Sequence, residues 1–384
     1  MILLHEPTLI GNEKKYLNDC IKTNWISTSG KYIDLFEKEI RNYTGSKYVV
    51  AVNSGTSALH ISLLLSNVKP KDEVIVPTVS FIASINSIKY CKANPIFMDV
   101  DNHLNIDVKK TISFLKNETF FRKNSTYNKK TKKKISALMV VHIFGNLVNL
   151  KPLKDICKER NIDIIEDAAE SFGSYYKKAK IKHAGTIGKF GCISFNGNKV
   201  VTCGGGGAIL TQKKKLAEKA RYLVSQAKDD SIKFIHNDIG YNYKITNLHA
   251  AVGLSQIEKL NKILKKKEKI HEFYQKELMK VNGISIIEPP KYCKANNWIN
   301  LIKIQKQKYK KNINQLIKIF HKNKIQVRPV WFLNHLQKPY RSYQRYNIDN
   351  AKKLINNILC LPSSTSLKSS QIEKIVSILR KYQR

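Results

Sequence analysis

The fold class this sequence predicts is α/β: a mostly parallel seven-stranded sheet in a large domain, followed by a smaller α+β domain. Three observations predict it. Between residues 45 and 210, seven short β-branched or apolar runs alternate with longer amphipathic stretches, the rhythm of strands joined by covering helices. Polar and glycine-rich segments follow several of those runs, at the strand ends where ligands of such sheets bind. From Leu248 the pattern changes to long Lys-rich helical stretches with short strands between them.

In order, the first run is Tyr48–Val52. Ser54-Gly55-Thr56-Ser57-Ala58-Leu59 then leads into an apolar-periodic helix carrying Leu59, Ile61, Leu63 and Leu64. Val74–Val76 is followed by Pro77-Thr78-Val79-Ser80-Phe81, and Ile96–Asp99 and Ala137–His142 come next. Ile162–Ile165 ends in Glu166-Asp167-Ala168-Ala169-Glu170. Cys192–Phe195 opens Ser194-Phe195-Asn196-Gly197-Asn198-Lys199, and the glycines 204–207 lead to Ala208–Leu210. Beyond these, helices are expected over 248–281, 310–323 and 370–381, with a short strand over 325–327. The boundary is placed at 1–247 and 248–384.

With 384 residues, 42% of them apolar, the chain buries a large core and suits two or three domains of about 100–200 residues each. The start, Met1-Ile2-Leu3-Leu4-His5-Glu6, lacks a basic segment and a long apolar one, and no apolar run approaches the ~20 residues of a membrane span. A cytoplasmic protein with no membrane partner is therefore expected. Seven cysteines without paired spacing point to reduced thiols and give no zinc motif, so no metal is expected. The net charge of +39 would suit nucleic acid, but only nine of the 68 basic residues are Arg and the lysines are spread. The densest run, Lys129-Lys130-Thr131-Lys132-Lys133-Lys134, reads as a solvated loop. No nucleic-acid partner is expected, and a positive field also suits acidic substrates such as nucleotide sugars.

The chemistry is carried by two segments. Asp167 is a carboxylate ending an apolar strand, costly there unless paired; Glu166 is its rival, but alternation along the strand points Glu166 to the opposite face. Lys199 stands in a Ser-Phe-(three residues)-Lys arrangement before tandem glycines that let backbone pass close to a ligand. Backbone N–H groups where Gly55, Thr56 and Ser57 open a helix can hold a phosphate dianion. A carboxylate and a Schiff-base lysine facing one cofactor are what pyridoxal phosphate (PLP) chemistry requires. Phe81 is placed to stack on a cofactor ring. Taken singly, each also has a structural explanation: a helix cap, an ion pair, a glycine-rich hairpin, a core phenylalanine.

In this order the motifs, together with Trp25-Ile26-Ser27-Thr28-Ser29-Gly30, Asp72 to Pro77, Pro95 to Asp101 and Gly240-Tyr241-Asn242-Tyr243, resemble the DegT/DnrJ/EryC1/StrS family of PLP-dependent nucleotide-sugar aminotransferases, with their fold-type-I architecture. The resemblance spans nearly the whole chain. It implies that Lys199 forms the Schiff base, Asp167 binds the pyridine nitrogen and Phe81 stacks on the ring. It further implies that Thr56, Ser57 and Ser194 hold the phosphate, and that Asn242 reaches that phosphate from the neighbouring subunit of a homodimer. Lys244, implied as a substrate-binding residue, stands where the family usually has Arg, and Glu170 where Gln is common at the ring hydroxyl.

Asn196-Gly197-Asn198-Lys199 with four following glycines is similar to one branch, which makes 4-amino-4,6-dideoxy sugars for bacillosamine- or legionaminic acid-type products. That branch also has a segment like 327–340, which implies Arg328, Trp331 and His335 in the substrate pocket. The implied activity is amination of a nucleotide-linked 4-keto-6-deoxy sugar, such as UDP-2-acetamido-2,6-dideoxy-hexos-4-ulose, with L-glutamate as amino donor. UDP, GDP and dTDP stay open. The rivals are a PLP-dependent sugar dehydratase, whose family replaces this lysine by histidine, and a basic binding protein that keeps the fold without catalysis.

Overall fold

A computed structural model describes residues 1–177, 182–230 and 232–383. All seven predicted runs are strands of one sheet: β1 (Tyr48–Val52), β2 (Glu73–Pro77), β3 (Asn94–Met98), β4 (Lys134–Val141), β5 (Asp163–Asp167), β6 (Phe190–Ser194) and β7 (Gly207–Thr211). Their spatial order is β1-β7-β6-β5-β4-β2-β3. The pairs β2–β3, β2–β4, β4–β5 and β5–β6 are parallel, whereas β7 runs antiparallel to both neighbours. Three short strands extend the sheet. Arg345–Tyr346 lies beside β3, and the hairpin Thr119–Arg122/Ser125–Asn128 adds to β4. Lys123 and Asn124 have φ of 47° and 56°, the left-handed pair a two-residue hairpin turn needs. The Lys-rich run 129–134 is the connection from that hairpin into β4.

Side-chain alternation sorts these strands onto two cores. Val74, Val76, Phe97, Met139, Val141 and Ile165 pack on one face, and Ile75, Ile96, Met98, Leu138, Val140 and Ile164 on the other. Because both faces are covered, the strands read as continuous apolar runs and not as apolar–polar alternation. The same period carries Glu166 and Asp167 to opposite faces.

Glu166, fully buried, accepts from His142 Nε2 at 2.9 Å and from the N–H groups of Gly185, Ile187 and Gly188 at 2.9, 2.7 and 2.5 Å. His142 Nδ1 accepts from Val148 N–H at 3.1 Å, so Nε2 carries the proton given to Glu166. Burial pushes the Glu166 carboxyl up, but His142 and the backbone donors outweigh it and hold it below its ordinary value. A depressed acid stabilises the fold above its unfolded value of 4.5 and loses that contribution as pH falls toward the folded value. Glu166→Gln should therefore cost about 2–4 kcal/mol at neutral pH and flatten the fall in stability below pH 4.5. Urea unfolding at a series of pH values reads both.

The later part of the chain adds a four-stranded antiparallel sheet in the order Ile284–Ile286, Asn300–Ile304, Ile358–Leu361, Arg328–Pro329. The helices Leu260–Leu278, Ile313–Lys322 and Ser369–Arg380 cover it. The single helix expected over 248–281 is two, Asn247–Glu258 and Leu260–Leu278, parted at Lys259, which leaves helical geometry at φ −106°, ψ 1° with neither Gly nor Pro to mark it. The strand expected at 325–327 starts instead at Arg328; before it, Ile325 forms only an isolated bridge to Ile2.

Packing crosses the expected boundary at residue 247. Ala250, Ala251, Leu254 and Ile257 are buried in the core of the large sheet, and Asp99 anchors residues 349–351 through three backbone N–H bonds of 2.8–3.0 Å. No helix among the described residues is long and apolar enough to cross a membrane.

Candidate active site

The carboxyl ends of β1, β5 and β6 open onto one cavity of about 340 Å³. After β1 the chain turns at Ser54, whose Oγ accepts the N–H of Ser57 at 3.0 Å and caps the helix Gly55–Leu65. This loop touches its neighbours so closely that side chains are excluded. A Cβ on Gly55 would lie 2.8 Å from Ser194 Cβ, and one on Gly207 2.5 Å from the Ser54 carbonyl carbon. Asn53, Gly55, Thr56, Ser194 and Gly206 thus form a small, polar, backbone-rich end, suited by the helix N-terminus to an anion.

Asp167, at the end of β5, forms the acidic end. Only 5% exposed, it accepts from Ser84 Oγ at 2.6 Å and from Ala169 N–H at 3.2 Å. Burial pushes its carboxyl above the ordinary range, with Ser84, Ala169 and Lys199 offsetting this in part. Such a group gains most from a cationic partner.

Lys199 lies between the two ends. Its loop leaves β6, closes with Lys199 N–H on Asn196 C=O at 2.9 Å, and returns by Cys203 N–H on Phe195 C=O at 2.8 Å. The Lys199 amine stands 3.4 Å from Glu170 Oε1 and 4.1 Å above the Trp298 ring centre. Burial raises the Glu170 carboxyl, opposed first by Lys199 and then by Phe144 N–H. The described residues hold no cluster of His, Cys, Asp or Glu fit for a metal ion.

The pattern of the DegT/DnrJ/EryC1/StrS aminotransferase family matches residues 7–380. The protein belongs to this family. Among its relatives, GDP-perosamine synthase of Escherichia coli O157:H7 is 33% identical over 99% of this chain and 98% of its own. The UDP-4-amino-4,6-dideoxy-N-acetyl-beta-L-altrosamine transaminase of Campylobacter jejuni is 30% identical over 93% and 92%. The crystal structure of the aminotransferase TlmJ from Streptoalloteichus hindustanus superposes with a TM-score of 0.88 at 24% identity, covering 99% of this chain and 98% of that one. DegT/DnrJ/EryC1/StrS aminotransferases are PLP-dependent. The donor set fits that cofactor: an anion cup, a buried acid and a lone amine on one cavity.

For this aminotransferase, the residues singled out in the sequence divide into two groups. Gly55, Thr56, Phe81, Asp167, Glu170, Ser194, Lys199 and Trp331 all line the cavity. Ser57 does not; its hydroxyl donates to Asn53 Oδ1 at 2.6 Å and supports the loop from behind. Asn242 and Lys244 lie outside the cavity on the segment that pairs with Ser225 and Val52. Arg328 is exposed on its short strand, its guanidinium 3.4 Å from His321 and 3.2 Å from the Val327 carbonyl. His335 is buried under β2 and β3, with Nδ1 2.6 Å from Thr78 Oγ1 and its ring beside Phe97. Burial lowers its pKa to about 4. This chain's own cavity therefore does not include Arg328 or His335.

Sequence reading missed Trp298, Phe144 and Ser84. Phe144 stacks flat on Trp331 at 4.8 Å and, more loosely, on Trp298 at 6.0 Å. Only the aromatic in Ile143-Phe144-Gly145 next to a strand end, and an isolated Trp298, were available as signals.

Proposed function

We propose that this enzyme moves an amino group from an amino acid, L-glutamate, to the ketone of a nucleotide-linked 4-keto-6-deoxy sugar. The observation that carries the reading is that Asp167, Lys199 and an anion cup face one cavity. When bound, pyridoxal phosphate supplies the electron sink for breaking a C–H bond next to nitrogen. Asp167 is the group to hold the ring nitrogen cationic. Thr56, Ser194 and the backbone of Gly55 take the phosphate. Phe81, at the rim, covers the ring and keeps water from it. The amine of Lys199 would hold the cofactor through its aldehyde and, when free of it, would act as the general acid–base that moves the proton at the substrate carbon next to nitrogen.

The sugar is proposed as the UDP-linked 2-acetamido-2,6-dideoxy-4-ulose, giving a precursor of bacillosamine- or legionaminic acid-type glycans. The Campylobacter relative's name supports a UDP-linked 4-amino-4,6-dideoxy sugar, while the Escherichia coli relative's name supports a GDP-linked one. Purified enzyme incubated with each 4-keto-6-deoxy sugar nucleotide and glutamate, with the product identified by mass and NMR, decides between them. Amination of the UDP-linked sugar at least tenfold faster than of the GDP-linked one is the expected result, and the reverse preference would replace it.

A homodimer is proposed, with Asn242 and Lys244 serving the partner's cavity. In support, Trp25, Ile26, Ile232, Phe234 and Ile239 are each at least half exposed, apolar surface that a partner subunit would cover. Seven buried, unpaired cysteines support the cytoplasm as its compartment.

A further inference from the structure

Around the Lys199 amine, two groups meet that no motif predicted as a pair. The Glu170 carboxylate is 3.4 Å away and the face of Trp298 lies 4.1 Å beneath. Both are held from outside the cavity by Asn296, itself 2% exposed. Its Nδ2 donates to the carbonyls of Glu170 at 2.8 Å and Phe172 at 3.0 Å, and its Oδ1 accepts Trp298 N–H at 3.0 Å. Asn296 packs against Gly145 so closely that a Cβ there would lie 2.2 Å from Oδ1. On the other side Phe144, held at φ 53°, ψ 22°, aims its N–H at Glu170 Oε2 at 2.7 Å. A buried non-glycine residue in the left-handed region is costly and persists only where its surroundings fix it. Trp298 is fixed a second time, its Nε1 donating to Asn198 C=O at 2.7 Å in the lysine's own loop.

We infer that Glu170 and Trp298 form a seat for the Lys199 amine whenever it is not bonded to the cofactor, and that Asn296 is the positioning residue that sets the two walls of that seat. A carboxylate and an aromatic face are both complementary to an ammonium group. In an enzyme whose lysine is released in every half-reaction, the seat keeps the freed amine within reach of the reacting carbon and out of solvent. This rests on Lys199 being the cofactor lysine, but the test below does not.

The test is made on the full chain stripped of cofactor. An amine-acylating reagent is applied at fixed pH, and the labelling rates of Lys199 and Lys267 are read by peptide mass spectrometry. Lys267 is the internal control: it is 1% exposed and donates to the carbonyls of Trp298 and Ser363 at 3.0 and 2.5 Å, so its rate rises only if the region loosens.

Glu170→Gln should label about tenfold faster at Lys199, and Trp298→Leu about three- to tenfold faster. Asn296→Ala should show a gain in the same direction, and Trp298→Phe, which keeps an aromatic face, should stay within about twofold of the parent. In each case Lys267 should not change. Lys199 rates equal to the parent's in Glu170→Gln and Trp298→Leu would overturn the inference, as would rates that rise only together with that of Lys267. Borohydride mapping of the loaded enzyme tests the identity of the cofactor lysine separately.

Discussion

Lys199→Ala is expected to give a folded protein that holds no cofactor covalently and turns over at least about 10⁴-fold more slowly, since both the nucleophile and the general acid–base are removed. The loss should be close to complete because, among this chain's described residues, Lys199 is the lysine that lines the cavity. The next buried lysine, Lys267, is spent on the carbonyls of Trp298 and Ser363. Added small amines should restore part of the proton transfer, because the cavity of about 340 Å³ keeps its acid and its anion cup. Unfolding should change little, as the amine lies over Trp298 and is not part of either core. Absorbance of the loaded protein, turnover and a melting curve check the three parts of this expectation.

Asp167→Asn is expected to separate activity from stability in opposite directions. The amide keeps the shape and can still meet Ser84 and Ala169, but it cannot hold a ring nitrogen cationic, so turnover should fall on the order of 10²–10³-fold. The cofactor-free protein should gain stability. Burial raises the Asp167 carboxyl above its unfolded value of 3.8, so the folded state binds that proton more tightly than the unfolded chain. The resulting penalty is absent below pH 3.8 and grows as pH rises through the folded value. The variant should therefore unfold later than the parent at neutral pH and show no advantage in acid. A neutral-pH loss of stability in the cofactor-free variant would contradict the description of Asp167 as an acid waiting for a cationic partner.

What the sequence disclosed of this site was the part carried on contiguous chain. Asp167 and Ser194 end strands, Gly55, Thr56 and Lys199 follow one within a few residues, and the strands themselves were visible because a sheet covered on both faces concentrates apolar residues into short runs. The residues that complete the site come from elsewhere. Ser84 lies 83 residues from Asp167 in the chain and Trp298 100 from Asn198, and neither helical nor strand periodicity encodes which distant segment returns to a strand end. Glu170 was noted beside Asp167, yet its meeting with Lys199 depends on a turn after β5 that alternation does not describe. The 119–128 hairpin was hidden for a different reason. Its apolar residues, Phe120, Phe121 and Tyr127, are too few and too interrupted by polar ones to make a run, and its turn is Lys123-Asn124, so it resembled the loop beside it.

Arg328 and His335 show how a tryptophan-centred motif spreads over very different surroundings. Trp331 lines the cavity while His335, four residues on, is fixed under the sheet by Thr78. Arg328, three residues before, remains on the surface with His321. The resemblance of 327–340 to one branch of the family implied all three in one pocket, whereas burial and hydrogen bonding divide them.

Reduction of the cofactor-loaded enzyme with borohydride, followed by digestion and peptide mass mapping, tests the central claim most directly. A single pyridoxyl adduct on Lys199, absent from the Lys199→Ala protein, is the expected result. An adduct on any of the other lysines, or none in protein shown to retain its cofactor, would contradict it.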